Sequence, residues 1–378
     1  MYPRLIQSRY GNVIAEIGAV NGNTAGKYLI RRVDDVLTPA GYQATNTTSR
    51  SNSTYTGIVN LPTTYGTMLM RFILLQNSTA ELDLVHRIQD ASSLTNITRA
   101  SSKVPSPNLT SLAPNGTLSG IDSPAKLLNL SSRLIPFNQP ENYTDRYRVA
   151  TILTQAGLYN NRYQPRLGVN LTLASVIANE SITADINHPS NIRDQGNNWQ
   201  LSIPSYQGNY DVNYAARAYI AIAGYQAQTV RQTLYPGYGN IGFSSVVSLQ
   251  PGTSLLLTFP GKPKLKLTGF WSYTVYGADQ YLVRNPLNRF GIGDRSYNVT
   301  YQYGGGYVYG PQADSRRDGP FQVLVQNVNV TPPANWTGNW IPSTDTFSYI
   351  LRWYTPEDAM TNGSYSYPVV KTIAQLRA

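Results

Sequence analysis

From residue 253 to near the end, hydrophobic and polar positions alternate in short runs broken by Gly, Pro, Asn and Asp. The runs 254–259, 270–276, 281–284, 297–303, 307–309, 321–328 and 347–354 read as strands, and their spacing predicts an antiparallel sandwich or jelly roll. Upstream, 12–20 alternates loosely, 22–26 has turn chemistry, and 27–33 is a second β run. The apolar run 62–75 also reads as a strand, and 42–56 as an exposed loop. Helical spacing enters at 80–91, where Leu82, Val85 and Ile88 share a face and Thr79 is the expected cap. Ser123 and Pro124 open a short helix through Leu130. A further helix covers 145–156 and stops at Gly157. The Ala-rich stretch 213–235 reads as the longest helix, with Ala218, Ala221, Ile222, Tyr225 and Thr229 on one side.

The predicted fold is mainly β with some α. It has an antiparallel β-sandwich or jelly-roll C-terminal domain over 246–378 and a helical connecting layer over 101–245. An incomplete N-terminal β domain over 1–100 precedes them. Within the connecting region, 92–122 is rich in Ser, Thr, Pro and Asn and reads as a long glycosylated surface segment.

Composition narrows the function classes. Charged residues are 13% of the 378, and 29 tyrosines fill much of the gap. That is a polar, weakly charged, β-rich surface of extracellular type. The net charge of +10 does not read as a nucleic-acid signal, because no basic run exceeds two residues. The basic stretch 262–266 alternates with Pro and Leu, as at a solvated strand edge. There is no cysteine, so neither disulfides nor thiolate metal sites are available. No run of about 18 apolar residues predicts a membrane span.

Fourteen Asn-x-Ser/Thr triplets occur: Asn46, Asn52, Asn77, Asn96, Asn108, Asn115, Asn129, Asn142, Asn170, Asn179, Asn298, Asn329, Asn335 and Asn362. Composition alone would supply roughly five or six. The excess predicts an N-glycosylated, secreted protein, although the first residues lack the apolar core of a signal peptide.

The chemistry-bearing residues are sparse. His86 falls on a predicted helix and His188 in a loop, with no serine elbow and no His spacing that would hold a metal. Five glutamates and the aspartates Asp279, Asp294 and Asp314 show no spacing that selects a glycosidase pair. No cofactor and no metal is expected. Gly304, Gly305 and Gly306 read as a hairpin turn or bulge. The densest polar group is Asn285, Asn288, Arg289, Asp294 and Arg295, just after an aromatic strand. It is either an ion-pair lock, with Asp294 bridging two arginines, or an anion clamp. Trp271, Tyr276 and Trp340 are among many aromatics near turns, suited either to a core or to stacking on sugar rings.

The pieces Phe270-Trp271-Ser272 with Tyr276, Asn285-Pro286-Leu287-Asn288-Arg289 and Gly293-Asp294-Arg295 resemble the domain-of-unknown-function family 1214. Asn339-Trp340-Ile341-Pro342, Arg352-Trp353-Tyr354-Thr355-Pro356 and Pro368 continue the resemblance. The helix with Tyr214, Arg217 and Ala218 is similar to the segment before the sandwich in that family. The stretches 10–30 and 61–90 resemble the distal part of the partner family 1254, and the sequons give it a fungal, secreted look. The resemblance implies a two-part β-sandwich protein with helices between or beside the sandwiches, lacking the family's N-terminal region before Met1. It implies no activity.

The leading expectation is a secreted β-sandwich protein that binds carbohydrate or another extracellular polymer. Its candidate ligand-binding residues are Arg217, Tyr235, Trp271, Tyr276, Asn288, Arg289, Asp294, Arg295 and Trp340. The alternatives are an extracellular hydrolase with a carboxylate, Arg and Tyr site at the domain junction, and a structural or assembly protein without a small-molecule site.

Overall fold

The computed structural model describes residues 4–8, 11–18, 21–33, 39–44, 55–63, 66–72, 74, 78–97, 121–223, 227–239 and 245–378. The sequons Asn46, Asn52, Asn77, Asn108 and Asn115, most of the 92–122 segment and Tyr225 lie outside them. The described residues fall into two units. One draws on Met1–Leu74, Ser78–Asp185 and Gly208–Ala227, and the other on Ile186–Gln207 and Gln228–Ala378.

In the first unit, β1 (Arg4–Ser8) pairs antiparallel with β2 (Val13–Ile17). A second sheet joins β3 (Tyr28–Arg32), β4 (Gly41–Ala44) and β5 (Gly57–Leu61). The strand β6 (Gly66–Leu69) completes the first sheet on the other side of β1. The pair β3–β5 is parallel, an exception to the antiparallel rule. Ala15, Ile17 and Val59 are buried at the centre, with Ile14, Tyr28, Ile30, Tyr42, Leu61 and Met68 packed around them. Residues 42–44, expected as the start of a loop, instead belong to β4 at the edge of this sheet, where Tyr42 packs toward Val59 and Tyr28. The 62–75 run shortens to β6.

Helices fill the rest of this unit. The first, α1 (Thr79–Asp90), is capped by Ser78 rather than Thr79: the Ser78 Oγ accepts from Glu81 N at 3.3 Å. Next, α2 (Pro124–Leu134) begins at its expected Ser-Pro cap. Then α3 (Arg146–Gln155) ends before Gly157, whose φ of 87° suits glycine. The hairpin β7 (Leu158–Tyr159) and β8 (Arg162–Tyr163) follows. A helix that the apolar pattern did not announce, α4, spans Leu171–Ile186. Finally α5 spans Tyr214–Ala223. The expected single helix over 213–235 is therefore wrong. Residues 229–233 turn, with Gln232 and Thr233 amides bonded to the Thr229 carbonyl, and the chain enters a strand. Thr229, Val230 and Thr233 are β-branched, which weakens the Ala-rich signal just there.

The second unit is a sandwich. It opens with the small sheet of β9 (Ile192–Asp194), β10 (Trp199–Ser202) and, after β11 (Thr233–Leu234), β12 (Gly237–Tyr238). The strands β13 (Ser245–Ser248), β14 (Thr253–Phe259), β15 (Leu265–Tyr276) and β16 (Gly291–Gly293) come next. The last four are β17 (Phe321–Asn327), β18 (Trp340–Ser343), β19 (Thr346–Pro356) and β20 (Val369–Ala374). One layer is β11-β19-β15-β16, with β13 also on β19; the other is β18-β17-β14-β20. All pairs are antiparallel except β17–β18.

The period-two alternation decides which faces meet. Trp271, Tyr273 and Val275 of β15 and Phe347, Tyr349, Leu351 and Trp353 of β19 point inward, as do Leu257 and Phe259 of β14 and Phe321, Val323 and Val325 of β17. Phe259 stacks on Phe321 at 4.7 Å and leans on Trp271 at 5.0 Å. Each such large side chain contributes about 1.5–3 kcal/mol by leaving water, which lets a cysteine-free sandwich stand. The run 281–284 is not a strand. It makes one bridge, Tyr276↔Leu282, and β15 finds its partners in β16 and β19 instead.

Candidate functional site

The polar cluster after β15 is a structural clamp. Asn285 Nδ2 donates to the carbonyls of Val283 (2.9 Å) and Arg289 (2.8 Å), and its Oδ1 accepts from Arg289 N at 3.1 Å. Asn288 sits exposed at φ 48°, where Asn is tolerated. Arg289 Nη1 donates to the carbonyls of Thr337 and, at 2.9 Å, Trp340. Asp294 Oδ1 accepts from the Trp271 amide at 3.1 Å. Arg295 lies over the Phe270 ring at 4.8 Å. The expected bridge of Asp294 to both arginines is not made: Asp294 turns to a strand amide, and Arg289 reaches across to the start of β18. Burial holds the Asp294 carboxyl above its ordinary value, against the Trp271 amide and the Arg295 charge. Burial also lowers the Arg289 guanidinium.

The other candidates divide by position. Trp271 and Trp340, at 2% and 4% exposure, are core residues. Their indole N–H groups donate to Tyr309 Oη (3.0 Å) and the Gln326 carbonyl (3.2 Å). Tyr235 is half-buried after β11. Arg217 belongs to the first unit, on α5. Its guanidinium lies 5.4 Å from the Tyr214 ring and donates to the Asp211 carbonyl. Tyr214 donates to Asp145 Oδ2 at 2.5 Å, and Arg148 holds the same carboxylate at 2.5 and 2.9 Å. Those bonds from Arg148 and Tyr214 hold Asp145 below its ordinary value, while burial and Asp145 push the Tyr214 phenol up to about 12. This group locks the start of α3 to α5.

Tyr276 leads somewhere different, to the outer face of the β15–β19 layer. Registers pair Phe270 with Tyr354, Ser272 with Arg352, Thr274 with Ile350 and Tyr276 with Ser348. These side chains all point away from the core. Phe270 and Tyr354 stack at 4.0 Å with 10° between their planes. Arg352 reaches along the face: Nη1 donates to Thr274 Oγ1 at 2.8 Å and Nη2 to Tyr276 Oη at 3.2 Å. Thr274 Oγ1 lies 3.2 Å from Tyr276 Oη and 3.4 Å from the Ile350 carbonyl, and donates between them. Burial pushes the Tyr276 phenol up, but the bonds from Thr274 and Arg352 and the Arg352 charge outweigh it and leave it below its ordinary value. Ser348 is buried beside it, and its hydroxyl has no hydrogen-bond partner. On the neighbouring strand β16, Gly291 and Gly293 stand opposite Thr274 and Ser272 and add no side chain.

Thr274, Ser348 and Arg352 were not among the sequence candidates. The alternation of β15 and β19 marks their faces, but only the register brings them together. The aspartates weighed for hydrolysis are turn residues. Asp279 Oδ1 accepts from Tyr281 N at 3.0 Å and Asp314 Oδ1 from Arg316 N at 2.9 Å. Among the described residues, no group of three or more His, Asp or Glu could hold a metal. No described helix is long and apolar enough to cross a membrane.

A family profile described as "Protein of unknown function (DUF1214)" matches residues 247–358, from within β13 to just past β19. No curated protein matches the chain. A crystal structure of a Vibrio parahaemolyticus protein, 13% identical, aligns over 98% of this chain and 82% of that one with a TM-score of 0.48. An uncharacterised Burkholderia cenocepacia protein, also 13% identical, aligns over 39% of this chain and 32% of its own, with a TM-score of 0.26.

Proposed function

We propose that the chain is a secreted N-glycoprotein that binds an extracellular saccharide polymer through the outer face of the β15–β19 layer. The observation that carries the binding role is the juxtaposition on that face of a stacked aromatic pair, Phe270 and Tyr354, with the hydrogen-bonding groups of Thr274, Tyr276 and Arg352. Aromatic rings give a sugar an apolar surface and the neighbouring polar groups give it orientation. Four of the five tryptophans, Trp199, Trp271, Trp340 and Trp353, are buried and cannot supply the platform. The likeness of the upstream stretches to family 1254, and a fungal secreted source, belong to the same reading.

Secretion with glycosylation is supported by where the sequons lie. Of the nine described acceptor asparagines, Asn96, Asn129, Asn170, Asn179, Asn298, Asn329, Asn335 and Asn362 are exposed, and Asn142 is half-buried. The buried asparagines, Asn12, Asn60 and Asn339, are not in sequons. An attached glycan needs an acceptor that faces solvent.

The test is retention of the intact chain on a panel of cell-wall polysaccharides, with a Phe270→Ala, Tyr354→Ala double variant beside it. Retention that the variant loses supports the reading. No retention of folded protein on any polysaccharide removes it. Glycopeptide mass spectrometry of secreted protein checks the acceptors.

A further inference from the structure

The outer face carries an imbalance of hydrogen-bond donors and charge. Arg352 has five N–H donors, and its bonds in the structure go to two neutral oxygens, on Thr274 and Tyr276. No carboxylate among the described residues forms an ion pair with it. Tyr276 Oη receives hydrogens from Arg352 and Thr274, so its own O–H is left to donate outward. Ser348, across the register from Tyr276, is 3% exposed with an unpartnered hydroxyl. A second cation, Arg295, stands over Phe270, toward the other end of the face from the Arg352 guanidinium. The outward positions of β15 and β19 in this stretch are Phe270, Ser272, Thr274 and Tyr276 against Ser348, Ile350, Arg352 and Tyr354, with no Asp or Glu among them. Of the acids nearest in sequence, Asp279 accepts from the Tyr281 amide, Asp345 from Asn327 Nδ2 and Asp294 from the Trp271 amide, and neither these nor Glu357 forms an ion pair with Arg352.

A half-buried cation without a counter-charge is costly unless something anionic completes it. A buried hydroxyl without a partner points the same way. Planar, forked donors of Arg beside phenol and serine hydroxyls fit a carboxylate, and the Phe270–Tyr354 stack, four strand residues from Thr274 and so about 13 Å along the face, fits another ring of the same polymer. We infer that Arg352, Tyr276, Thr274 and Ser348 form a carboxylate-binding site, and that its ligand is an acidic saccharide carrying uronate groups. This rests on the saccharide reading above for the ring but not for the carboxylate. The depressed Tyr276 phenol agrees with a field made positive by Arg352.

The experiment is isothermal titration of the full chain with pentagalacturonate, its fully methyl-esterified form, a neutral pentasaccharide, free galacturonate, and inorganic sulfate. Wild type, Arg352→Gln, Arg352→Lys and Tyr276→Phe are compared, with circular dichroism to check folding. The expected result is binding of the acid at least about tenfold tighter than the ester, as a charge-assisted hydrogen bond contributes. Arg352→Gln loses that preference, Arg352→Lys keeps part of it, and Tyr276→Phe loses less than Arg352→Gln. Equal binding of acid and ester by wild type overturns the site, and this arm needs no variant to fold. Sulfate binding as tightly as galacturonate overturns the assignment to carboxylate. Retention of the neutral saccharide with no acid preference leaves saccharide binding standing while this site falls. Arg352-dependent binding of free galacturonate, with no polymer retained, supports the site and removes the polymer reading.

Discussion

Asn339 shows how one residue holds two layers of loop to the sandwich. It is buried, and its Oδ1 accepts from Thr300 N (3.0 Å) and Thr300 Oγ1 (2.9 Å) while its Nδ2 donates to the carbonyls of Thr300 (2.9 Å) and Gln322 (2.7 Å). Every valence of the amide is used. Asn339→Ala leaves several buried partners unsatisfied and should cost about 2–4 kcal/mol, read by urea denaturation; a loss below ~1 kcal/mol would show that water replaces the amide. Asp294 makes a prediction of opposite sign. Its folded value is raised by burial, so its contribution to stability is present below the unfolded value of about 4 and is lost as pH rises through the folded one. Asp294→Asn keeps the acceptor for the Trp271 amide and removes the buried charge. The variant should therefore gain on wild type as pH rises above about 4, measured by melting across a pH series. A variant weakened equally at every pH would mean that Asp294 titrates alike in the folded and unfolded chain, and one weakened more as pH rises would mean that the charged carboxylate is needed.

At the scale of elements, β16 depends on two glycines. A Cβ on Gly293 would lie 2.1 Å from the Trp271 carbonyl oxygen, inside the pairing with β15. Gly293→Ala should push the strand out at a cost of about 1–3 kcal/mol or more. Gly319→Ala, where no atom lies within 4 Å, is the control and should be near neutral; equal effects at the two positions would mean β16 has room to shift. The same elements show what could be read from sequence. The alternation of 254–259, 270–276, 321–328 and 347–354 places β14, β15, β17 and β19 within a few residues, because each buries one face and period two survives in the residues. The Ser123-Pro124 cap and Gly157 stop were legible for the same local reason. What pairs with what was not. A reader of the sequence gives β15 the nearest β-like run, 281–284, yet its long partner is β19, some eighty residues on, and nothing local encodes that register. The site suffers most from this, since Arg352 meets Thr274 and Tyr276 only through it. Helix α4 was missed because Leu171, Leu173, Val176 and Ile177 show no polar-apolar period to mark a face.

That absence of period has a consequence for the whole molecule. A helix apolar on several sides is ordinarily covered, but Leu173, Val176 and Ile177 are 55%, 46% and 52% exposed. Leu167 and Val169 just before them are exposed as well. Contiguous apolar surface of this kind drives association unless something shields it, and net charge of +10 spread over 378 residues gives little local protection here. Two acceptor asparagines flank and enter the same stretch, Asn170 and Asn179, both exposed. Asn170 Oδ1 caps the helix by accepting from Leu173 N at 3.0 Å, which leaves its Nδ2 for a glycan. If the chain is glycosylated as proposed, glycans at these two positions keep α4 soluble. Replacing the asparagines would confuse the test, since losing the cap alone costs about 1 kcal/mol. Thr172→Ala with Ser181→Ala removes both sequons, leaves the cap, and if anything favours the helix. Secreted from the same host, this double variant should keep its circular dichroism spectrum and melting temperature but form large particles in light scattering at concentrations where wild type stays monodisperse. Thr331→Ala with Thr337→Ala, which removes the acceptors Asn329 and Asn335 elsewhere on the surface, should behave as wild type. Equal solubility of the two double variants, with mass spectrometry showing that wild type carries glycans at Asn170 and Asn179, would sink the shielding argument while leaving glycosylation in place.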